Sequence, residues 1–239
     1  ELATAVAGAE AGTRIRVEGG GPLAVEVAPA VRGTSVVVDD LFFNVPARRK
    51  FLKKPATELG HIGDALVRLG LAQPRVGLKL LAEGRSVLDI PPLPEGTADA
   101  RPRLARLLGK TVADACRPIQ DDGLERAIRV RGFIGAPPLS ERGARGQHVF
   151  VNGRFVRDKT IASAVADAYQ GRLPRGRQPV VVLFVELDPR EVDVNVHPQK
   201  TEVRFARPGE VFRAVQSTLR RELARLGAGP AEGQADLAT

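Results

Sequence analysis

Apolar and polar positions alternate with a period of two in some stretches and recur every three to four residues in others, so strands and helices are mixed along the whole chain. Positions 13–18 (TRIRVE) and 23–27 (LAVEV) alternate on either side of Gly19-Gly20-Gly21-Pro22, which predicts a hairpin. Within GTSVVVDDLFFNVP, the valines at 36–38 read as a buried strand core that Pro46 ends. Leu59, Ile62, Leu66 and Leu69 share one helical face behind Thr57 as N-cap, and Gly70 and Pro74 close that helix. Positions 76–81 and 86–90 flank AEGR as a second hairpin. Prolines 91, 92, 94 and 102 then crowd a stretch with few apolar residues, and the domain boundary is placed there.

The second half opens with a short helix at 104–108, followed by strands near 127–134 and 147–151. Asn152-Gly153 between apolar runs predicts a tight hairpin. A helix is expected from 160 to about 173, with Ile161, Val165 and Ala168 inward. PVVVLFVEL at 179–187 is almost continuously apolar, as a strand covered on both faces should be. DVNVHPQKTEVRF at 193–205 alternates, is broken by Pro198 where it presents Lys200, and resumes at Val203 and Phe205. Phe212, Val215, Leu219 and Leu223 form one stripe of a helix over about 210–226. The small, polar stretch at 228–239 reads as a disordered linker. Frequent hairpins among helices favour an α+β or mixed α/β fold over a doubly wound parallel sheet.

Length and charge narrow this picture. At 239 residues the chain suits two domains, and no run approaches the about 18 apolar residues of a membrane span. A single cysteine, Cys116, forbids an internal disulfide or a cysteine metal cluster and fits a reducing, cytoplasmic setting. There is no methionine, and the chain reads as part of a longer protein. The net charge of +8 makes nucleic acid the first partner to consider, with a merely soluble basic protein as the alternative.

Four stretches could carry chemistry. In DLFFNVPARRKFLKK (40–54), Arg48, Arg49, Lys50, Lys53 and Lys54 interleave with Phe42, Phe43 and Phe51, which suits a nucleic-acid or phosphate surface as well as it suits core aromatics beside a solvated helix start. In VNGRFVRDK (151–159), Arg154, Arg157 and Lys159 stand beside a hairpin tip and a helix N-terminus, a place favourable to phosphate; a hairpin solvated by its own charges explains the same spacing. Gly33-Thr34 alone reads as turn chemistry. Lys200 could reach a phosphate as a point charge, and His197 beside it reads as a structural residue. Walker-type GxxxxGK[ST], GxGxxG, GxSxG and HExxH motifs are absent.

Taken in order, GTSVVVDDLFFNVPARRKFLKK, VNGRFVRDK and PVVVLFVELDPREVDVNVHPQKTEVRF resemble the N-terminal region of the MutL family of DNA mismatch repair proteins, in the GHKL ATPase superfamily. The resemblance runs from about 13 to 226. It implies the rear part of a GHKL-type ATPase α/β sandwich over 1–92, then a ribosomal-protein-like β-α-β transducer domain over 93–227. The family's catalytic glutamate, its magnesium-binding asparagine, its adenine-binding aspartate motif and its glycine-rich lid have no counterpart here.

Carried over by position, Thr34 with Gly33 matches the pair that helps close the adenine pocket. Lys200 matches the lysine that reaches the terminal phosphate and would stabilise charge developing there. Asn195 matches an asparagine supporting that loop. Lys159 stands where relatives place an arginine lining a DNA groove, with Arg154 and Arg157 beside it. The resemblance implies ATP with Mg²⁺ as cofactors of the full-length protein, ATP hydrolysis by it, DNA and repair proteins as partners, a homodimer, and a chain that binds little or no nucleotide by itself. The alternatives are a nucleic-acid-binding module without ATPase activity, or another GHKL relative.

Overall fold

The computed structural model describes residues 1–97, 99–121, 127–194 and 201–227. Packing divides the chain into two units, Glu1–Gly60 and His61–Thr239.

The first unit is built on one antiparallel sheet. Strands β1 (Leu2–Ala5), β2 (Gly12–Arg16), β3 (Ala24–Ala28) and β4 (Gly33–Val36) lie in the order β3-β2-β1-β4. The first predicted hairpin is β2–β3, registered Gly12↔Ala28 to Arg16↔Ala24. The valines at 36–38 are not a buried core. Val36, Val37 and Val38 are all exposed, because β4 is an edge strand and the unit supplies only the four-residue helix α1 (Pro46–Arg49) and the first turn of the next helix as further layers. Before α1 the chain makes tight turns, with Asp40 and Phe42 in the left-handed region. Phe43 is 50% and Phe51 77% exposed, so these two aromatics of the basic run do not form a core.

Helix α2 (Pro55–Ala72) starts two residues ahead of Thr57, at a proline whose missing N–H costs nothing in the first turn. Glu58 reaches back to accept the N–H of Lys53 at 2.8 Å, which satisfies a donor at the helix start. In the second unit come β5 (Leu78–Ala82) and β6 (Arg85–Ile90), the second predicted hairpin, turning at Glu83-Gly84 with both residues at positive φ. Helices α3 (Arg101–Leu108) and α4 (Lys110–Ala115) follow, separated by Gly109.

The central sheet of this unit has the order β11-β10-β13-β8-β7, from β7 (Cys116–Asp121), β8 (Arg129–Gly135), β10 (Gln147–Val151), β11 (Arg154–Val156) and β13 (Val181–Glu186). Two strands of a side ribbon, β9 (Ser140–Arg142) and β12 (Arg177–Pro179), pair with each other. Strands β10 and β13 run parallel, and helix α5 (Lys159–Ala168) lies between them in sequence. Strand β7 carries Pro118 and had no alternation to reveal it; as a sheet edge it tolerates the proline.

Both faces of this sheet are covered, as the apolar run at 179–187 requires. Val149, Val151, Leu183 and Val185 pack with Ile161, Val165, Val215 and Leu219 of α5 and of helix α6 (Pro208–Gly227). The alternate residues Phe150 and Val182 pack with Leu104, Leu107, Ile90 and Leu71. Strands β14 (Val192–Asp193) and β15 (Arg204–Phe205) pair antiparallel, so the two alternating halves of the interrupted stretch are partners of each other. Gly132 on β8 has φ +139, and a Cβ there would lie 1.9 Å from the carbonyl oxygen of Val182.

The proline-rich stretch is fastened rather than free. The Leu93 N–H donates to the Pro74 carbonyl at 2.9 Å. Arg103, 5% exposed, donates to four carbonyls: Gly70 at 2.9 Å, Pro91 at 2.5 Å, Gln73 at 3.1 Å and Val76 at 2.9 Å. The division by packing and the composition signal at 90–102 therefore fall in different places.

Candidate nucleic-acid interface

The basic residues of VNGRFVRDK are set out by a turn, a short strand and a cap. Asn152 (φ 47) and Gly153 (φ 80) turn β10 into β11, as the Asn-Gly pair predicted. The turn is pinned by the Asn152 N–H on the Val185 carbonyl at 3.0 Å and by Asn152 Oδ1 accepting the Leu187 N–H at 3.1 Å. Strand β11 then runs only three residues. At its end Arg157 donates its N–H to the Thr201 carbonyl at 2.7 Å, and Asp158 caps α5 by accepting the Ile161 N–H at 2.9 Å. The cap fixes the start of the helix one residue earlier than its apolar pattern predicted, and places Lys159 in its first turn.

Arg157 and Lys159 line a recess of about 740 Å³ together with His61, Asp64 and Arg68 of α2, Arg145, His148 of β10 and Phe155 of β11. Arg154 does not belong to this lining and is exposed at the first position of β11. Arg68 holds its guanidinium 4.5 Å from the Phe155 ring centroid, a cation–π contact. Among the described residues, Arg68, Arg145, Arg157 and Lys159 form no ion pair with any carboxylate. His148 is 9% exposed, and its Nδ1 has no hydrogen-bond partner among the described residues. Burial pushes the imidazole down to about 4, with Arg68 acting in the same direction and Asp64 against it.

Arg68, Arg145 and His148 were not singled out from the sequence. The signal was faint but present: His61, Asp64 and Arg68 recur at helical spacing along α2, and alternation along β10 puts His148 on the same face as Phe150. What joins them to Arg157 and Lys159 is tertiary.

The nucleotide-facing candidates lie elsewhere. Thr34 pairs across β4–β1 with Thr4, and the two hydroxyls approach to 2.8 Å while Thr4 Oγ1 also donates to the Gly33 carbonyl at 3.2 Å. Gly33 has φ +111. Lys200 and Asn195 lie outside the described residues.

Residues 104–224 match the family described as DNA mismatch repair protein, C-terminal domain. The chain belongs to this family. It is similar to the DNA mismatch repair protein MutL of Myxococcus xanthus, with 47% identity over 98% of the chain and 38% of that relative. It therefore spans little more than a third of the length of the curated relatives it matches. Among solved structures it resembles the ATPase domain of the Aquifex aeolicus mismatch repair endonuclease MutL (TM-score 0.62, 26% identity, 92% of this chain and 73% of that one). It also resembles the Aquifex aeolicus MutL ATPase domain complexed with ADP (TM-score 0.59, 27% identity, 79% and 67%). The fold is the mixed α/β type of the GHKL ATPases, as the sequence motifs implied.

Proposed function

We propose that this chain is part of an ATP-dependent DNA mismatch repair switch, comprising the rear of the ATPase domain (1–92) and the transducer (93–227), with 228–239 as a linker. The observation that carries the reading is the family match over 104–224, on a unit that gathers, at the start of α5, cations with no carboxylate partner among the described residues. In this reading Arg154, Arg157 and Lys159 hold the backbone of DNA. Such contacts are sequence-independent, so lysine in place of arginine at 159 costs little. The whole protein dimerises in response to ATP, coordinates repair partners and works in the cytoplasm.

In this reading Thr34 with Gly33, Asn195 and Lys200 are the residues this chain would contribute toward nucleotide. Thr34 stands on an exposed edge strand, and no group of three or more metal-binding side chains occurs among the described residues. These residues do not by themselves enclose ATP or Mg²⁺. When bound, ATP would supply the phosphoryl group; this chain's part is the electrostatic support of Lys200 and the wall at Thr34. The chain alone is expected to bind nucleotide weakly or not at all.

The decisive experiment is Lys200→Ala in the full-length protein. ATP turnover should drop by at least tenfold with the thermal midpoint unchanged; unaltered turnover refutes the role. A second reading, a nucleic-acid-binding module without ATPase activity, is favoured by the unpaired cations alone. For either, oligonucleotide affinity should fall with salt at a log–log slope near −2 for three single-strand phosphate contacts, at about −0.7 each.

A further inference from the structure

We propose that the recess between α2, β10 and the start of α5 is a phosphate-binding site, in which Arg68, Arg145, Arg157 and Lys159 take the anion and His148 is a group the ligand charges. This rests on the nucleic-acid reading above and adds Arg68, Arg145 and His148 to it.

Three observations converge. Four cations line one recess and none is neutralised by a carboxylate among the described residues. Of the two acids present, Asp158 is committed to capping α5, and Asp64 stands exposed on α2. The recess also opens at the N-terminus of the ten-residue helix α5, where the dipole favours an anion.

The independent sign of a ligand is His148. A buried imidazole nitrogen with no partner is costly, and buried polar atoms in folded proteins are nearly always satisfied. The titratable and charged groups that line the recess with it are His61, Asp64 and Arg68 from α2, Arg145 from the preceding turn, and Arg157, Asp158 and Lys159 from the β11–α5 junction. Burial first, and Arg68 second, keep the ring neutral near neutral pH. A phosphate would offset the cationic field and favour the imidazolium, so binding draws a proton onto His148 and tightens as pH falls.

Orthophosphate, which itself titrates near neutrality and is therefore compared only at fixed pH, and an oligo(dT) octamer, whose bases do not titrate there, serve as probes. The 239-residue chain is titrated with each while the His148 ring resonances are followed by NMR. Saturable binding is expected, with the His148 midpoint rising by one pH unit or more in the bound state. Arg145→Gln, on an exposed turn, and Arg68→Gln should each weaken binding at least fivefold, while Arg172→Gln, away from the recess, should not. Displacement of orthophosphate by the octamer would identify the natural phosphate as nucleic-acid backbone; independent binding would identify a free phosphorylated ligand.

A His148 titration that neither probe moves, or affinity insensitive to both Arg145→Gln and Arg68→Gln, overturns the proposal. If octamer binding is lost only on changing Arg154, Arg157 or Lys159, the nucleic-acid reading stands and this inference fails. Orthophosphate binding without octamer binding gives the converse.

Discussion

Arg103 is the best place to perturb the second unit, because one side chain there satisfies four backbone carbonyls drawn from three segments. Gly70 lies in the last turn of α2 and Gln73 directly follows it, Val76 precedes β5, and Pro91 opens the proline-rich stretch. The last carbonyls of a helix have no partner within it, and a cation there also answers the negative end of the helix dipole. Burial pulls the guanidinium below its ordinary value, with no nearby acid to offset it, so the carbonyls alone hold the charge inside.

Replacing Arg103 by leucine keeps part of the aliphatic stem and removes all four bonds, although the Gln73 carbonyl retains the Val76 N–H at 3.1 Å. The Gly70 bond is buried, and stranding such a carbonyl costs roughly 1–3 kcal/mol. The other three bonds are partly buried, so water recovers some of each loss, leaving roughly 0.5–1 kcal/mol apiece. The sum is about 2.5–6 kcal/mol. Arg103→Lys retains the charge but cannot span four acceptors in a fixed fork, and should cost about half as much. Urea unfolding of the 239-residue chain measures both, and limited proteolysis should cut near 90–102 sooner in the leucine variant. A leucine variant within about 1 kcal/mol of the parent, the net value of a single ordinary hydrogen bond, would refute the clamp.

Two further outcomes follow from single residues. Gly132→Ala should prevent or severely impair folding, since its Cβ would overlap the Val182 carbonyl at a φ that alanine rarely adopts; a soluble variant with an unchanged far-UV spectrum and midpoint would contradict this. His148 is depressed to about 4 from 6.5, so the folded state binds fewer protons than the unfolded one below pH 6.5. Its stability is fully present above 6.5 and is lost by about 3 kcal/mol as pH falls to about 4, at about 1.4 kcal/mol per unit. His148→Gln should flatten that part of the urea-measured profile, and an unchanged acid slope would count against a buried neutral imidazole.

The sequence determined most elements on its own wherever local chemistry decides. Asn152-Gly153 turned as written because both positions need left-handed backbone. The run at 179–187 became a doubly covered strand because alternate residues had to find two apolar faces. The family was legible in its motifs for the same reason, since those motifs are contiguous.

Tertiary structure decided what contiguity cannot encode. The valines at 36–38 read as core and lie exposed, because period and composition do not say whether a second layer covers a strand. Strand β7 escaped notice because its proline is tolerable only at an edge, and being an edge depends on the order of strands. Arg103, one arginine among many in sequence, became a clamp only where three chain segments converge. His148 and Arg68, 80 residues apart, share a recess because α2 and the start of β10 both line it, and burial there, rather than residue type, decides which protons the imidazole can hold.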